Sequence, residues 1–192
     1  MATYVLSGGA TGIGAAIKAR LHAAGHRVLV LDLRDADIEV DLSDASQREA
    51  AINSLLEILP EQIDGIITCA GVASHFADLK KILTINYTGS VDIINGLRSR
   101  LAPGSSVVMV SSDSAPLCQK PDLADYLLEN QWDDIDAMLP ELTGHDCYSA
   151  SKQAVAKWMR RNAPEFAGQG VRLNAIAPGY TETAMTKAVA ED

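Results

Sequence analysis

The chain has 192 residues, 47% of them hydrophobic and 21% charged, with a formal net charge of −9 at pH 7. That length suits one domain with a real core and is too short for two ordinary ones, while the acidic balance argues against nucleic acid as a partner, since phosphate binding needs a basic surface. Cys69, Cys118 and Cys147 include no C-x-x-C pair, no apolar run reaches membrane-spanning length and the start lacks the basic flank and long apolar run of a signal peptide, so the expected location is the reducing cytoplasm.

Taken in order, residues 4–25 read as a short apolar strand, a glycine turn and an alanine-rich helix. Gly8, Gly12 and Gly14 fall where such a turn needs a positive φ or a surface without a side chain, so that phosphates can approach the backbone. The free N–H groups of the following helix, together with the positive end of its dipole, make an anion site that uses no Lys or Arg. A dinucleotide pyrophosphate is the natural guest. The helix covers 15–24, and Gly25 stops it at a C′ position. A second apolar strand over 27–33 carries Asp32 near its end, close to the ~20-residue spacing after the glycines at which an acidic side chain meets the adenosine ribose hydroxyls.

Residues 38–42 form a brief extended segment, after which Ser43 or Asp44 caps a helix with Ala50, Ile52, Leu55, Leu56 and Leu59 as its apolar face and Pro60 as its stop. The nearly continuous apolar run 63–69 predicts a strand covered on both faces, leading into Ala70-Gly71. Residues 83–101 read as a long helix containing Asn86 and Gly89, terminated by Pro103-Gly104. A buried strand over 106–110 then delivers Ser111 and Ser112 to its carboxyl end, where open α/β sheets place their ligand chemistry. Residues 113–146 read as a polar, acidic insertion whose Leu123, Leu127, Trp132, Ile135 and Leu139 supply short helices, serving as a solvated cover or as a substrate wall. Helical spacing resumes at Cys147 and runs through Tyr148, Lys152, Val155 and Met159 until Pro164 stops or kinks it. A last apolar strand over 171–177 precedes Pro178-Gly179. Alternating strands and helices with glycines at strand ends predict an α/β fold, a Rossmann-type doubly wound parallel sheet in a single domain over 1–192.

Tyr148 and Lys152 lie four apart on one predicted helix and therefore share a face. A phenol titrates near ~10 in water, too high for a good base at neutral pH, and a neighbouring ammonium favours the phenolate. A serine on the adjoining strand end can hydrogen-bond the same substrate oxygen as it gains charge. Successive strand residues face opposite sides, so one of Ser111 and Ser112 points into the cleft, and spacing does not say which. His22, His26, His75 and His145 lack metal-ligand spacing, and no metal is expected.

These residues resemble the short-chain dehydrogenase/reductase family over nearly the whole chain. Ser7 through Gly14 resembles its T-G-x-x-x-G-I-G turn with serine in the threonine's place, which adds Thr11 and Ile13 to Gly8, Gly12 and Gly14 as cofactor-binding residues. Cys69-Ala70-Gly71 resembles its N-A-G segment, with cysteine at the asparagine position, which weakens the case for a cofactor hydrogen bond there. Tyr148 and Lys152 match its Y-x-x-x-K pair. Asn86 matches the asparagine that holds a water linking the lysine to solvent, and Ser112 matches its catalytic serine. Asn174, Pro178, Gly179 and Thr183 resemble its N-x-x-x-P-G-x-x-x-T stretch, whose threonine is expected near the nicotinamide carboxamide. Within the family the chain is most similar to bacterial NAD-dependent 3α-hydroxysteroid dehydrogenase/carbonyl reductases, a likeness that places Asp41 and Leu42 beside the adenine.

The resemblance thus implies NAD as cofactor, with Lys152 touching it as well, and hydride transfer to or from a secondary alcohol or ketone, a 3α-hydroxysteroid or another carbonyl compound among them. The alternative is a non-catalytic NAD-binding sensor module, which needs the glycines and Asp32 but no base. The chain ends at Asp192, soon after the Thr183 segment, whereas the family usually continues through a substrate-covering helix and a final strand. Those elements are expected to be absent, leaving an open sheet edge that favours a homo-oligomer and a cleft that binds NAD better than it turns over substrate. The expected partner besides a second copy is a small-molecule alcohol or ketone, with neither nucleic acid nor membrane involved.

Overall fold

The computed structural model describes residues 1–187. Its strands are β1 (Thr3–Ser7), β2 (Arg27–Asp32), β3 (Ile38–Glu39), β4 (Ile63–Thr68), β5 (Leu101–Val110) and β6 (Arg172–Ile176). They form one all-parallel sheet in the order β3-β2-β1-β4-β5-β6. The order reverses at β1, so the connections wind in opposite directions on its two sides and leave a crevice at the strands' carboxyl ends.

Strand periodicity sorts the core into two layers. Leu6, Val28, Val30 and Ile67 point to one face, covered by Ile17 and Leu21 of α1 (Gly12–Ala23). Val5, Leu29, Leu31, Ile66, Val107 and Met109 point to the other, into the larger core shared with α2 (Ala45–Ile58), α4 (Gly89–Leu97) and α7 (Gly144–Gly168). Burial on both faces explains why the strands read as continuous apolar runs.

Helix boundaries depart from the sequence reading where local signals compete with packing. The segment expected as one helix over 83–101 is α3 (Leu79–Leu83), a π-helical turn (Thr84–Thr88) and α4, followed by a single 3₁₀ turn. The Gly89 N–H reaches the Thr84 carbonyl five residues back, so one extra residue is accommodated at Asn86. Leu101 already pairs with Ile63, so the sheet begins before Pro103-Gly104. Those two residues sit where the register shifts between Ile63 and Gly65, a place in a ladder where proline is tolerated. Pro164 does not end α7 either, because Phe166 is fully buried against Trp158 and under Arg98 and holds the last turns in place despite the lost N–H.

In α2 the cap is Asp44, which accepts from the Ser46 and Gln47 N–H groups, and Ala51 rather than Ala50 joins Leu55 and Leu59 inside. The extended segment expected over 38–42 keeps only the two residues of β3. Residues 113–146 do fold into short helices, α5 (Pro121–Leu128) and α6 (Trp132–Met138). Their Leu123, Leu127 and Ile135 belong to the main core, while Asp125 and Glu129 pair with Lys157 and Arg161 of α7, and Asp136 with Lys80 of α3. A Thr143–Asp146 capping box starts α7 before Cys147. Among the described residues, no helix is long and apolar enough to cross a membrane.

Arg48 is the charged member of the inward stripe of α2. Its Nε lies 2.7 Å from Asp92 Oδ2 of α4, and its Nη1 donates to the Leu42 carbonyl at 2.8 Å. The guanidinium is buried and Asp92 half-exposed, so Arg48→Met, which keeps volume and removes both bonds, is expected to lower unfolding free energy by about 2 kcal/mol with an unchanged m value in urea.

Candidate active site

The crevice at the carboxyl ends is a cleft lined by residues that follow β1, β2, β4, β5 and β6 and by α7. Its first wall is the turn after β1. Gly8 and Gly12 adopt φ of 78° and 56°, and a Cβ on Gly14 would lie 1.8 Å from the Gly8 carbonyl oxygen. Thr11, Ile13 and the three glycines all line the cleft, with no acidic residue in the first turn of α1 to repel an anion. Asp32 ends β2 on the same side, where its carboxylate accepts from the Ala10 N–H at 2.9 Å and the Leu33 N–H at 2.7 Å. The carboxylate is thereby fixed at the turn's mouth.

Asp41 and Leu42 line the next stretch. The Ser43 hydroxyl donates to Asp41 at 2.7 Å and Lys81 lies 3.3 Å from its other oxygen, and these contacts, Ser43 first, hold the carboxyl below its usual range. Arg48 fixes the Leu42 carbonyl from behind. Ala70 and Gly71, after β4, and Pro178, Gly179 and Thr183, after β6, complete the walls. Every residue expected to contact a dinucleotide therefore borders one cleft.

Ser112, Tyr148 and Lys152 border the same cleft. Lys152 is buried; its Nζ donates to the Val110 carbonyl at 3.0 Å and lies 5.8 Å from the Tyr148 ring centroid. Burial pushes its pKa down to about 8, opposed by the negative charge available at Cys69. The two strand-end serines differ. Ser111 spends its hydroxyl on the Lys152 carbonyl at 2.7 Å, whereas the Ser112 oxygen accepts from the Ser114 N–H at 3.1 Å and its proton points to Asp113 at 3.2 Å. Both border the cleft, and Ser112 holds the hydroxyl not tied to the helix backbone.

Asn86 lies behind the wall rather than on it. It is fully buried, its amide accepts from the Val72 N–H at 2.8 Å and donates to the Val72 carbonyl at 3.0 Å, and its Nδ2 also reaches Ser151. A Cβ on Gly71 would meet Asn86 Oδ1 at 3.0 Å and Lys152 Nζ at 3.5 Å, so the π turn sets Asn86 next to the ammonium. Cys69 borders the cleft as well, with its thiol pKa raised by burial; its position just before Ala70 is the signal the sequence offers. Thr186 is another such residue. Its hydroxyl accepts from the Thr183 N–H at 2.9 Å and donates to the Thr181 carbonyl at 2.7 Å, a local knot that no spacing announces.

The donor set suits a nicotinamide dinucleotide: a side-chain-free turn with helix N–H groups for the pyrophosphate, a fixed carboxylate for a ribose, and an ammonium and hydroxyls at the opposite end.

Lys152 also gives a stability signature. Below pH 8 it is charged folded and unfolded, and the fold bears the cost of burying it; above its ordinary 10.5 it is neutral in both states and the cost is gone. The unfolded chain holds more protons in between, so stability rises with pH across that window. Relative to Lys152→Met, the wild type is expected to gain on the order of 2 kcal/mol between pH 8 and 10.5 in urea titrations.

A family model described as short chain dehydrogenase matches residues 138–192, and one described as enoyl-(acyl carrier protein) reductase matches residues 8–121. The chain is 36% identical to a 3-alpha-hydroxysteroid dehydrogenase/carbonyl reductase of Comamonas testosteroni, over all of this chain and 77% of that protein. It is 33% identical to a coniferyl-alcohol dehydrogenase of Pseudomonas sp. strain HR199, over 91% of this chain and 71% of the relative. The crystal structure of a 3-alpha-hydroxysteroid dehydrogenase from Pseudomonas sp. B-0831 complexed with NADH superposes with a TM-score of 0.92 at 35% identity, over 99% of this chain and 77% of that one. With sheet order, glycine turn and tyrosine–lysine helix in agreement, the chain belongs to the short-chain dehydrogenase/reductase family.

Proposed function

We propose that the chain is an oxidoreductase that transfers a hydride between NAD(H) and a secondary alcohol or its ketone, with 3α-hydroxysteroids and other carbonyl compounds as candidate substrates. The observation that carries this reading is that Ser112, Tyr148 and Lys152 border the same cleft as the glycine turn and Asp32. Bound NAD supplies the hydride acceptor, or NADH the donor, that no side chain can provide.

Gly8, Thr11, Gly12, Ile13 and Gly14 hold the pyrophosphate, Asp32 the adenosine ribose, Asp41 and Leu42 the adenine, and Ala70, Gly71, Pro178, Gly179, Thr183 and Lys152 the nicotinamide end. The Tyr148 phenolate takes the proton from the alcohol oxygen in oxidation, and the hydroxyl so formed returns it in reduction. The Ser112 hydroxyl donates to that oxygen as it gains charge. Lys152 presents its ammonium from a dry position, where charge acts at short range with little screening. Asn86 is a positioning residue that fixes the Val72 backbone beside the lysine. Three free cysteines fit a reducing compartment, and the reading places the protein in the cytoplasm. A homo-oligomer belongs to the same reading.

A panel of alcohols and steroids assayed for NADH formation tests the activity, and Tyr148→Phe tests its base. The variant removes one hydroxyl and little volume, so NAD affinity is expected to hold while kcat falls by roughly 10²–10⁴-fold, about 3 to 5 kcal/mol. Retention of most of the wild-type kcat would remove Tyr148 from the role. Tight NAD binding without NADH formation across the panel would favour a sensor.

Cofactor choice follows from Asp32. Its carboxylate repels a 2′-phosphate, so titrations are expected to show NAD binding more tightly than NADP. Equal affinity would contradict the ribose assignment.

A further inference from the structure

Asp113 follows Ser112 at the end of β5, and its backbone N–H donates to the Pro178 carbonyl at 3.1 Å, pinning it between β5 and the segment after β6. One carboxylate oxygen accepts the Ser112 hydroxyl at 3.2 Å, and the other lies 3.5 Å from where a Cβ on Gly179 would be. Both neighbours border the cleft, so this exposed carboxylate bridges its two walls beside the hydroxyl assigned to the reacting oxygen. Among the described side chains lining the cleft, Lys152 carries the positive charge, and it is buried with its ammonium on the Val110 carbonyl. Asp32 and Asp41 add further negative charge to the cleft, and Val72, Tyr148 and Met185 are among its apolar lining.

We propose that Asp113 is a specificity-determining residue that restricts the cleft to neutral alcohols and ketones by repelling substrates with an anionic group near the reacting oxygen. The inference rests on the assignment of Ser112 and Tyr148 to the reacting end. A carboxylate or phosphate entering there loses water, meets a fixed like charge and finds no accessible cation among the described cleft side chains. A neutral substrate meets no such repulsion, and the exposed Asp113 carboxylate is left to water when the Ser112 hydroxyl turns to the substrate oxygen. At a partly hydrated rim, one like charge a few ångströms away is worth about tenfold in affinity.

Asp113→Asn is the discriminating variant, because it removes the charge and keeps an acceptor for the Ser112 hydroxyl. The substrates are 3-oxocyclohexanecarboxylate and its methyl ester, equal in ring and ketone and different in charge. With NADH, wild type is expected to favour the ester in kcat/KM, and the variant to shift the acid-to-ester ratio toward the acid by about tenfold. The wild-type preference should also shrink as ionic strength rises from about 20 to about 500 mM, more than the variant's, since screening acts on the charge alone. A ratio that is the same in both proteins, or insensitive to salt in both, overturns the proposal.

Should neither ketone be reduced, the charge argument is decided by calorimetry on NADH-saturated protein, while the hydride-transfer reading is decided by the alcohol and steroid panel. Cyclohexanecarboxylate should then bind more weakly than cyclohexanecarboxamide in wild type, with the difference largely lost in Asp113→Asn. Equal preference in the two proteins overturns it there as well.

Discussion

The turn after β1 can close only because Gly14 has no side chain: its backbone lies so near the Gly8 carbonyl that a Cβ would be 1.8 Å from the oxygen. Closing it fixes the start of α1, and three short bonds fix the rest. The Gly8 N–H reaches the Leu31 carbonyl of β2 at 2.8 Å, the Cys69 N–H reaches the Ser7 carbonyl at 3.0 Å, and the Ala10 N–H holds Asp32 at 2.9 Å. The turn therefore ties together the ends of the three central strands. Asp32, the glycine turn and the Ala70-Gly71 wall keep their relative positions because one backbone contact is too close to allow another arrangement.

The opposite end depends on a different kind of constraint. Helix α7 is secured along its length by fully buried Ala150, Ala154, Val155 and Phe166, and at its start by the Thr143 box. That packing offsets the cost of carrying Lys152 into the interior, a cost its lowered pKa records. Two bonds cross the strand–helix gap, from the Ser111 hydroxyl to the Lys152 carbonyl and from the Lys152 ammonium to the Val110 carbonyl, so the spacing of β5 and α7 also sets where the ammonium sits.

What could be read from the sequence was whatever a residue needs for its own backbone or its immediate neighbour. Gly8, Gly12 and Gly14 announce a turn by their lack of side chains, Asp32 by its place at a strand end, and Tyr148 with Lys152 by their shared helix face. Residues whose partners come from elsewhere in the fold were not legible. Arg48 looks like a solvated helix residue until Asp92 and the Leu42 carbonyl are brought to it. Ala50 and Ala51 are equivalent in composition, and only the rotation of α2 against α4 selects the second. Pro164 is a stop signal that buried Phe166 overrides. Ser111 and Ser112 could not be told apart until the Lys152 carbonyl claimed one hydroxyl.

Thr84–Thr88 was the least visible element, because a π turn keeps helical composition and hides in helical periodicity. It amounts to one residue inserted into an otherwise continuous helix without a break. Each α-helical residue advances the face by about 100°, so deleting a single residue here would restore a regular helix and swing everything on one side of the deletion by that angle. Either Asn86 would leave Val72 and Lys152, or α4 would turn Ile93, Ile94 and Leu97 out of the core. Chain length between Leu79 and Leu97 is consequently as tightly specified as any side chain in the cleft, and substitutions should be tolerated there far more readily than a change of one in the residue count.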